Sequence, residues 1–470
     1  MFALRIASHL LVFVRTIVLA HLLTPHHFGL FGIVLLVDSA LDSLSQTGVQ
    51  AALIQTKADV KQYLDTAWTL QLMRALGLGA TIFALAPYVA AFFGESGAVQ
   101  LLRVLGISAL LRGFVNIGVV YFQKELEFQR QFVFSISGSL MDFGVAVVTA
   151  LLLRNEWALV LGLIAGDLIR VVVSYWAHPY RPKLRLAWKR GRDLLGFGKW
   201  VFASSVLLFL ITEGDDVVVG KLLGATALGL YQLAYRVSNM PATEIARVIS
   251  QVTFPAYSKL QDNIQKLKDV YTKVLQLTAL ASIPLAGGIL ALGAEFVQLL
   301  LGQRWMPMLS TMQVLTLWGV IRSLGATMGP LLQAAGRPDI LAKLGVVRVV
   351  CLAGLIYPLS MTGGIEGAAL AVLISALLTM PITSFITVNK VLGGSVADVF
   401  TRALLIPLVS TLLMVLLLRF VSGQCTSLPG LAFLVFLGGS LYVALVCLLD
   451  RFLRYGTIDT LRQILVGATA

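Results

Sequence analysis

Seven arginines, Arg15, Arg74, Arg112, Arg170, Arg236, Arg322 and Arg348, fall inside long apolar runs of this chain. An ionised side chain at the centre of a bilayer costs about 2.5–3.5 kcal/mol on insertion scales, so it ordinarily faces a partner or a water-filled cavity. A guanidinium grips carboxylate or phosphate oxygens through two parallel N–H donors, a geometry that lysine cannot reproduce. A chain that keeps so many arginines in apolar surroundings is expected to hold something anionic. Spacing sorts the candidates. Arg236, Thr243 and Arg247 follow at intervals of seven and four on one helix face, flanked by Tyr235 and Asn239. Arg5 and Arg15 lie within about 80° of one another around their helix. Anion binding is therefore assigned to Arg5, Arg15, Arg112, Arg236, Arg247 and Arg322, with Tyr235 and Asn239. Asp38 and Asp42 share a face with Ser45 and Val49. Together with Asp215 and Asp216 they are candidates for ion coupling or for service as arginine counter-ions. Purely structural roles compete with these. Asp167 and Arg170 stand three residues apart and are expected to satisfy each other, Arg74 and Arg348 to tie helices together, and Arg112 and Arg322 to tie the two halves of the chain.

These side chains need elements that can carry them through lipid. The sequence is 58% hydrophobic and only 13% charged, where a soluble domain carries roughly 25%. Its mean hydropathy is +0.88. Fourteen apolar runs, from Phe2–Leu23 to Leu431–Leu449, are each long enough for the ~30 Å hydrocarbon layer. Continuous rather than alternating runs exclude a β-barrel and predict an all-α polytopic membrane protein. The first run lacks a small-residue cleavage site and reads as a span rather than a leader. Basic residues crowd alternate loops by more than five to one, which predicts that both termini are cytoplasmic. The net charge of +13 then reflects those loops and not a nucleic-acid partner. Cys351, Cys425 and Cys447 lack metal-ligand spacing, and His26 and His27 fall in an exterior turn, so no metal is expected. No phosphate-binding Gly-x4-Gly-Lys-Ser/Thr loop occurs, so ATP is not the direct energy source and no cofactor is expected.

The chain also repeats. At an offset of 200, Ile17–Leu23 lies over Val217–Leu223 and Phe28–Phe31 over Leu228–Tyr231. At an offset of 210, Arg112 lies over Arg322. Six spans per half is an even number, so the halves share one orientation, as in parallel-repeat transporters. The expected organisation is a six-helix lobe at 1–178, a basic loop at 179–197, a second six-helix lobe at 198–390, and two additional helices with a tail at 391–470.

Leu19-Ala20-His21-Leu22-Leu23-Thr24-Pro25-His26-His27-Phe28-Gly29-Leu30-Phe31 resembles the signature turn of Wzx-like polysaccharide export proteins, a branch of the multidrug/oligosaccharidyl-lipid/polysaccharide exporter superfamily. Asp215–Gly224, Leu228–Tyr231, Phe254–Ser258 and Leu300–Trp305 fit the same family, although His21 replaces its usual basic residue. The resemblance implies two six-helix lobes around a V-shaped cavity, two further helices, and residence in the bacterial inner membrane. It implies a flippase, not an enzyme, whose partners are a polyprenyl-pyrophosphate-linked oligosaccharide and membrane lipids. A polymerase and a chain-length regulator of the pathway are further expected partners, and the chain is expected to act as a monomer. Two alternatives remain. A cation-coupled multidrug exporter of the same superfamily would favour acidic over arginine-rich cavities. An O-antigen polymerase would carry a large exterior loop, and none here exceeds about a dozen residues.

Overall fold

The computed structural model describes residues 2–45, 49, 53–54, 60–125, 127–187, 198–422 and 427–453, and among these it contains helices and no strands. Six helices come first: α1 (Phe2–Leu22), α2 (Pro25–Leu44), α3 (Lys61–Phe93), α4 (Ala98–Phe114), α5 (Phe128–Leu153) and α6 (Trp157–Ala177). The helical stretch Gly198–Leu260 is broken at Gly224, whose φ of 83° only glycine adopts freely, into α7 (198–223) and α8 (225–260). Next come α9 (Ile264–Phe296) and α10 (Leu309–Gly325). Pro338–Phe385 breaks likewise at Gly364, with φ 58°, into α11 (338–363) and α12 (365–385). Finally come α13 (Val396–Ser422) and α14 (Leu428–Leu453). The described residues thus hold fourteen long helices, as the hydropathy pattern predicts. Large apolar side chains face outward, Phe420 at 90% exposure among them, a surface that only lipid covers without penalty. The protein is a multi-pass membrane protein.

The chain forms two compact units, Met1–Leu230 and Tyr231–Ala470. Within the first, the repeated turn explains itself. Thr24 caps α2: its hydroxyl accepts the His27 N–H, and His27 Nδ1 accepts the Thr24 N–H, both at 3.4 Å. Pro25 occupies the first helical turn, where its missing N–H costs nothing. The first turns of α2 and α8 then meet backbone to backbone. A Cβ on Gly29 would fall 1.7 Å from the Ala225 carbonyl oxygen, and one on Gly229 would fall 2.1 Å from that of Pro25. The contact is reciprocal because both helices carry glycine at the same place in the repeat.

Past α6 the chain runs extended over residues 178–187 and is strapped to the start of α3. Asp65 accepts the Lys183 N–H at 3.0 Å and the Tyr180 hydroxyl proton. Thr69 Oγ1 accepts the Arg185 N–H at 3.0 Å. Buried Asn116, at the break after α4, donates to the Tyr180 carbonyl at 2.7 Å. A backbone without secondary structure needs such partners for its polar groups. In the second unit, Tyr257, Tyr271, Leu275, Leu324, Leu331 and Val399 form a buried cluster, and the Tyr442 hydroxyl ties α14 to the Leu280 carbonyl of α9 at 3.0 Å.

Candidate functional site

The first unit encloses a cavity of about 660 Å³. Asp38 and Asp42 of α2, Gln71 and Arg74 of α3, Arg112 of α4, and Asp167 and Arg170 of α6 line it. Its charges are matched. Arg112 grips Asp38 with both terminal nitrogens, at 2.5 and 3.1 Å, and its Nε lies 3.6 Å from Asp167. Arg74 reaches Asp42 at 2.5 Å and the Ser45 hydroxyl at 2.9 Å. Arg170 holds Asp167 at 2.8 Å, and Ser108 donates its hydroxyl proton to the same carboxylate. Asp167 is 2% exposed, so these bonds replace its entire hydration. Beside this network Arg15 of α1 pairs with Asp142 of α5 at 2.8 Å and does not line the cavity. Four arginines thus meet four aspartates. Gly138 makes room for the network, since a Cβ there would fall 2.2 Å from Arg170 Nε.

The second unit treats the equivalent arginine differently. Arg322 extends from α10 toward α8 as Arg112 does from α4 toward α2. At the offset of 200, however, Asp38 corresponds to Ser238 and Asp42 to Ala242. Arg322 therefore donates to the Tyr235 hydroxyl at 3.1 Å, and its guanidinium carbon lies 5.3 Å from the centroid of the Trp318 ring. Trp318 and Arg322 stand four residues apart and share a helix face. The Arg348 guanidinium of α11 lies 5.6 Å from the same ring, and Tyr235 packs against it at 5.4 Å. Trp318 is 4% exposed and its indole N–H has no hydrogen-bond partner. Buried Asn239 donates to the Ser238 hydroxyl at 3.1 Å and leaves its carbonyl oxygen unpartnered.

The structure thus brings together Arg112 with Asp38, and Arg322 with Tyr235. Arg236 is exposed on α8, and Asp215 and Asp216 are buried on α7. The side chains of Arg5 and Arg247 lie outside the described residues. Among the described residues no group of three or more His, Cys, Asp or Glu is placed to hold a metal ion. Sequence reasoning passed over Asp142 and Trp318. A carboxylate within the apolar α5, and a tryptophan one turn before an intramembrane arginine, were the available signals.

Residues 18–310 match the model of a family described as polysaccharide biosynthesis protein. The lipopolysaccharide biosynthesis protein WzxC of Escherichia coli (strain K12) is 27% identical over 384 residues, covering 81% of this chain and 78% of that protein. The succinoglycan biosynthesis transport protein ExoT of Rhizobium meliloti (strain 1021) is 23% identical over 463 residues, covering 96% and 92%. Among solved structures, the lipid II flippase MurJ in an inward closed conformation superposes with a TM-score of 0.75 at 14% identity, covering 96% of this chain and 100% of that one. At that identity the likeness establishes the fold.

Proposed function

The chain belongs to the polysaccharide biosynthesis protein family, and on that premise we propose that it is a flippase for a polyprenyl-pyrophosphate-linked oligosaccharide. It moves this polysaccharide repeat unit from the cytoplasmic to the outer leaflet of the bacterial inner membrane by alternating access. The observation that supports the reading is a polar cavity lined by paired arginines and aspartates within a lipid-facing helical protein. Carrying phosphates and sugar hydroxyls bare through hydrocarbon costs many kcal/mol. Arginine donors replace that hydration, while the polyprenyl tail stays in lipid. Arg236 and Arg322 are assigned to the cargo. Arg15 and Arg112 bind it only by exchanging a carboxylate for phosphate. The lobes are 1–178 and 198–390, joined by the basic segment 179–197 on the cytoplasmic side, and 391–470 adds the last two spans and a cytoplasmic tail. A membrane potential negative inside favours outward transfer of an anion by about 2.3 kcal/mol per charge per 100 mV, so no nucleotide hydrolysis is needed. A polymerase and a chain-length regulator are the expected consumers of the product.

The test is deletion of the gene in its own host. Surface polysaccharide should fall sharply, and the lipid-linked precursor should accumulate where a membrane-impermeant oxidant cannot reach it. Unchanged polysaccharide and a fully accessible precursor overturn the reading.

A further inference from the structure

The strap of residues 178–187 leaves α6 where the hydrocarbon layer ends. α6 holds 21 residues, about 32 Å of helix, which matches the ~30 Å layer. α3 holds 33 residues, about 50 Å, and overshoots it. Residues 65–69 of α3, to which the strap is bonded, stand about 36–42 Å from its far end at Phe93, so the strap runs at headgroup depth. Its edge is spent: the N–H groups of Lys183, Arg185 and Ala187 donate to Asp65, Thr69 and Thr66. Alternate residues of an extended chain point to opposite faces. Leu184 and Leu186 share one face and are 73% and 43% exposed, and Trp176, in the last turn of α6, is 80% exposed. Arg181, Lys183 and Arg185 share the other face and are all exposed. Arg181 is steadied by the carbonyls of His178 and Tyr180 and lies 5.8 Å from the centroid of the Tyr175 ring. Among the described residues no carboxylate forms an ion pair with any of the three cations, and Asp65 is engaged by the Tyr180 hydroxyl and the Lys183 N–H. A segment with leucine and tryptophan on one side and lysine and arginine on the other settles in the membrane interface, and anionic headgroups strengthen its hold.

We propose that this strap is a docking surface for anionic phospholipid in the leaflet on its own side of the membrane. Trp176, Leu184 and Leu186 enter the acyl boundary, and Arg181, Lys183 and Arg185 bind lipid phosphates. The two guanidinium groups take phosphate oxygens in pairs, and Lys183 adds a point charge. A zwitterionic lipid covers the leucines equally well but offers the three cations no net negative charge. Anionic lipid therefore closes both faces of the strap and stiffens its bonds to α3. The surface lies apart from the cavity, and the proposal stands whether or not the chain is a flippase.

The experiment is hydrogen exchange, read by mass spectrometry, on the full-length protein in nanodiscs of phosphatidylcholine alone or of phosphatidylcholine and phosphatidylglycerol in equal parts. At low ionic strength the Lys183 and Arg185 amides should exchange several-fold more slowly with phosphatidylglycerol present. High salt should erase the difference, because it screens exposed charges. Lys183→Gln combined with Arg185→Gln should exchange like the wild type in phosphatidylcholine, where the backbone bonds to α3 remain, and should lose most of the slowing by phosphatidylglycerol. Leu184→Ser combined with Leu186→Ser should exchange faster in both lipids. The amides of Ala335, Gly336 and Arg337 lie in a segment whose cations Arg337 and Lys343 are already matched by Asp339, and they should not respond. They also register any slowing due only to the lower surface pH of an anionic nanodisc. Equal exchange of the wild type in the two lipids overturns the proposal. So does full slowing in the glutamine variant, or equal slowing at Ala335, Gly336 and Arg337. Soluble glycerol 3-phosphate that reproduces the slowing in phosphatidylcholine nanodiscs would mark a site for a free anion and overturn lipid docking. If the glutamine variant loosens the strap in phosphatidylcholine, the wild type's response to lipid and to salt decides alone.

Discussion

Arg112 and Arg322 are the same residue of one repeat, yet the first unit answers its arginine with carboxylates and the second with an aromatic ring and a phenol. A guanidinium that takes its partner from the protein becomes architecture. Arg322, bonded to a neutral hydroxyl and a ring face, has no carboxylate partner among the described residues. At least two exchanges separate them, Asp38 in α2 for Ser238 in α8 and Asp42 for Ala242, in helices that share the Gly-Leu of their first turns. A count of buried arginines therefore says little about where a ligand binds until each arginine's counter-ion is known.

The sharpest break in this comparison comes from removing a carboxylate. Asp167→Ala takes the partner from Arg170 and Ser108 and one of two acids from Arg112, all in a site 2% exposed at Asp167. Breaking a buried pair in this way costs about 3–5 kcal/mol, because a charge is left uncompensated. Arg322→Gln in the second unit strands no carboxylate among the described residues and should cost about 1 kcal/mol, the scale of one hydrogen bond. Thermal unfolding midpoints in matched detergent measure both. Equal losses would mean that the two units hold their arginines by the same means.

A smaller effect tests whether the pairing in the first unit is structural. Arg15→Met and Asp142→Leu should each destabilise, and the double variant should melt higher than either single, with a coupling of about 1–3 kcal/mol. Additive losses would show that the 2.8 Å contact between them carries no energy.

Much of this architecture was legible beforehand. Hydropathy located the fourteen helices, and the offset-200 match located the turn that later proved to pack Gly29 on Ala225 and Gly229 on Pro25. The offset-210 match flagged Arg112 and Arg322. The pairing of Asp167 with Arg170 followed from a three-residue spacing. Partners across helices were not legible. Arg15 and Asp142 are 127 residues apart, and no periodicity states which faces of α1 and α5 meet. Trp318 escaped notice for a related reason: a mid-helix aromatic looks the same from sequence whether it faces lipid, core or a guanidinium. The signal lay in the combination of Trp318 with Arg322 one turn later and Tyr235 on the neighbouring helix.

The smallest expected effect separates the units by pH. All five histidines precede residue 179, so the second unit has none to titrate between pH 7 and 5. His178 begins the strap of residues 178–187. Its ring stacks on Tyr121 with centroids 5.4 Å apart, and its Nδ1 accepts the Tyr180 N–H at 3.2 Å. A nitrogen that accepts carries no proton, so the ring is neutral with its hydrogen on Nε2. Burial pushes the His178 pKa down, Arg130 and Arg181 push the same way, and Glu127 and Glu125 oppose them. The folded value thus lies below the ordinary 6.5. The neutral ring's contribution is then complete above pH 6.5 and is lost as pH falls through the lowered value. Protonation turns Nδ1 into a donor facing a donor and loosens the strap. The Lys183 and Arg185 amides, which donate to Asp65 and Thr69, should exchange hydrogen several-fold faster at pH 5 than at pH 7 after correction for intrinsic rates. The amides of Ala335, Gly336 and Arg337, bonded to carbonyls of the short helix Met328–Ala334, should show no such change. His178→Gln should remove the difference, since an amide side chain does not titrate. Equal acceleration in both segments, or persistence of the effect in His178→Gln, would assign the pH response to something shared by both units and erase this part of the contrast.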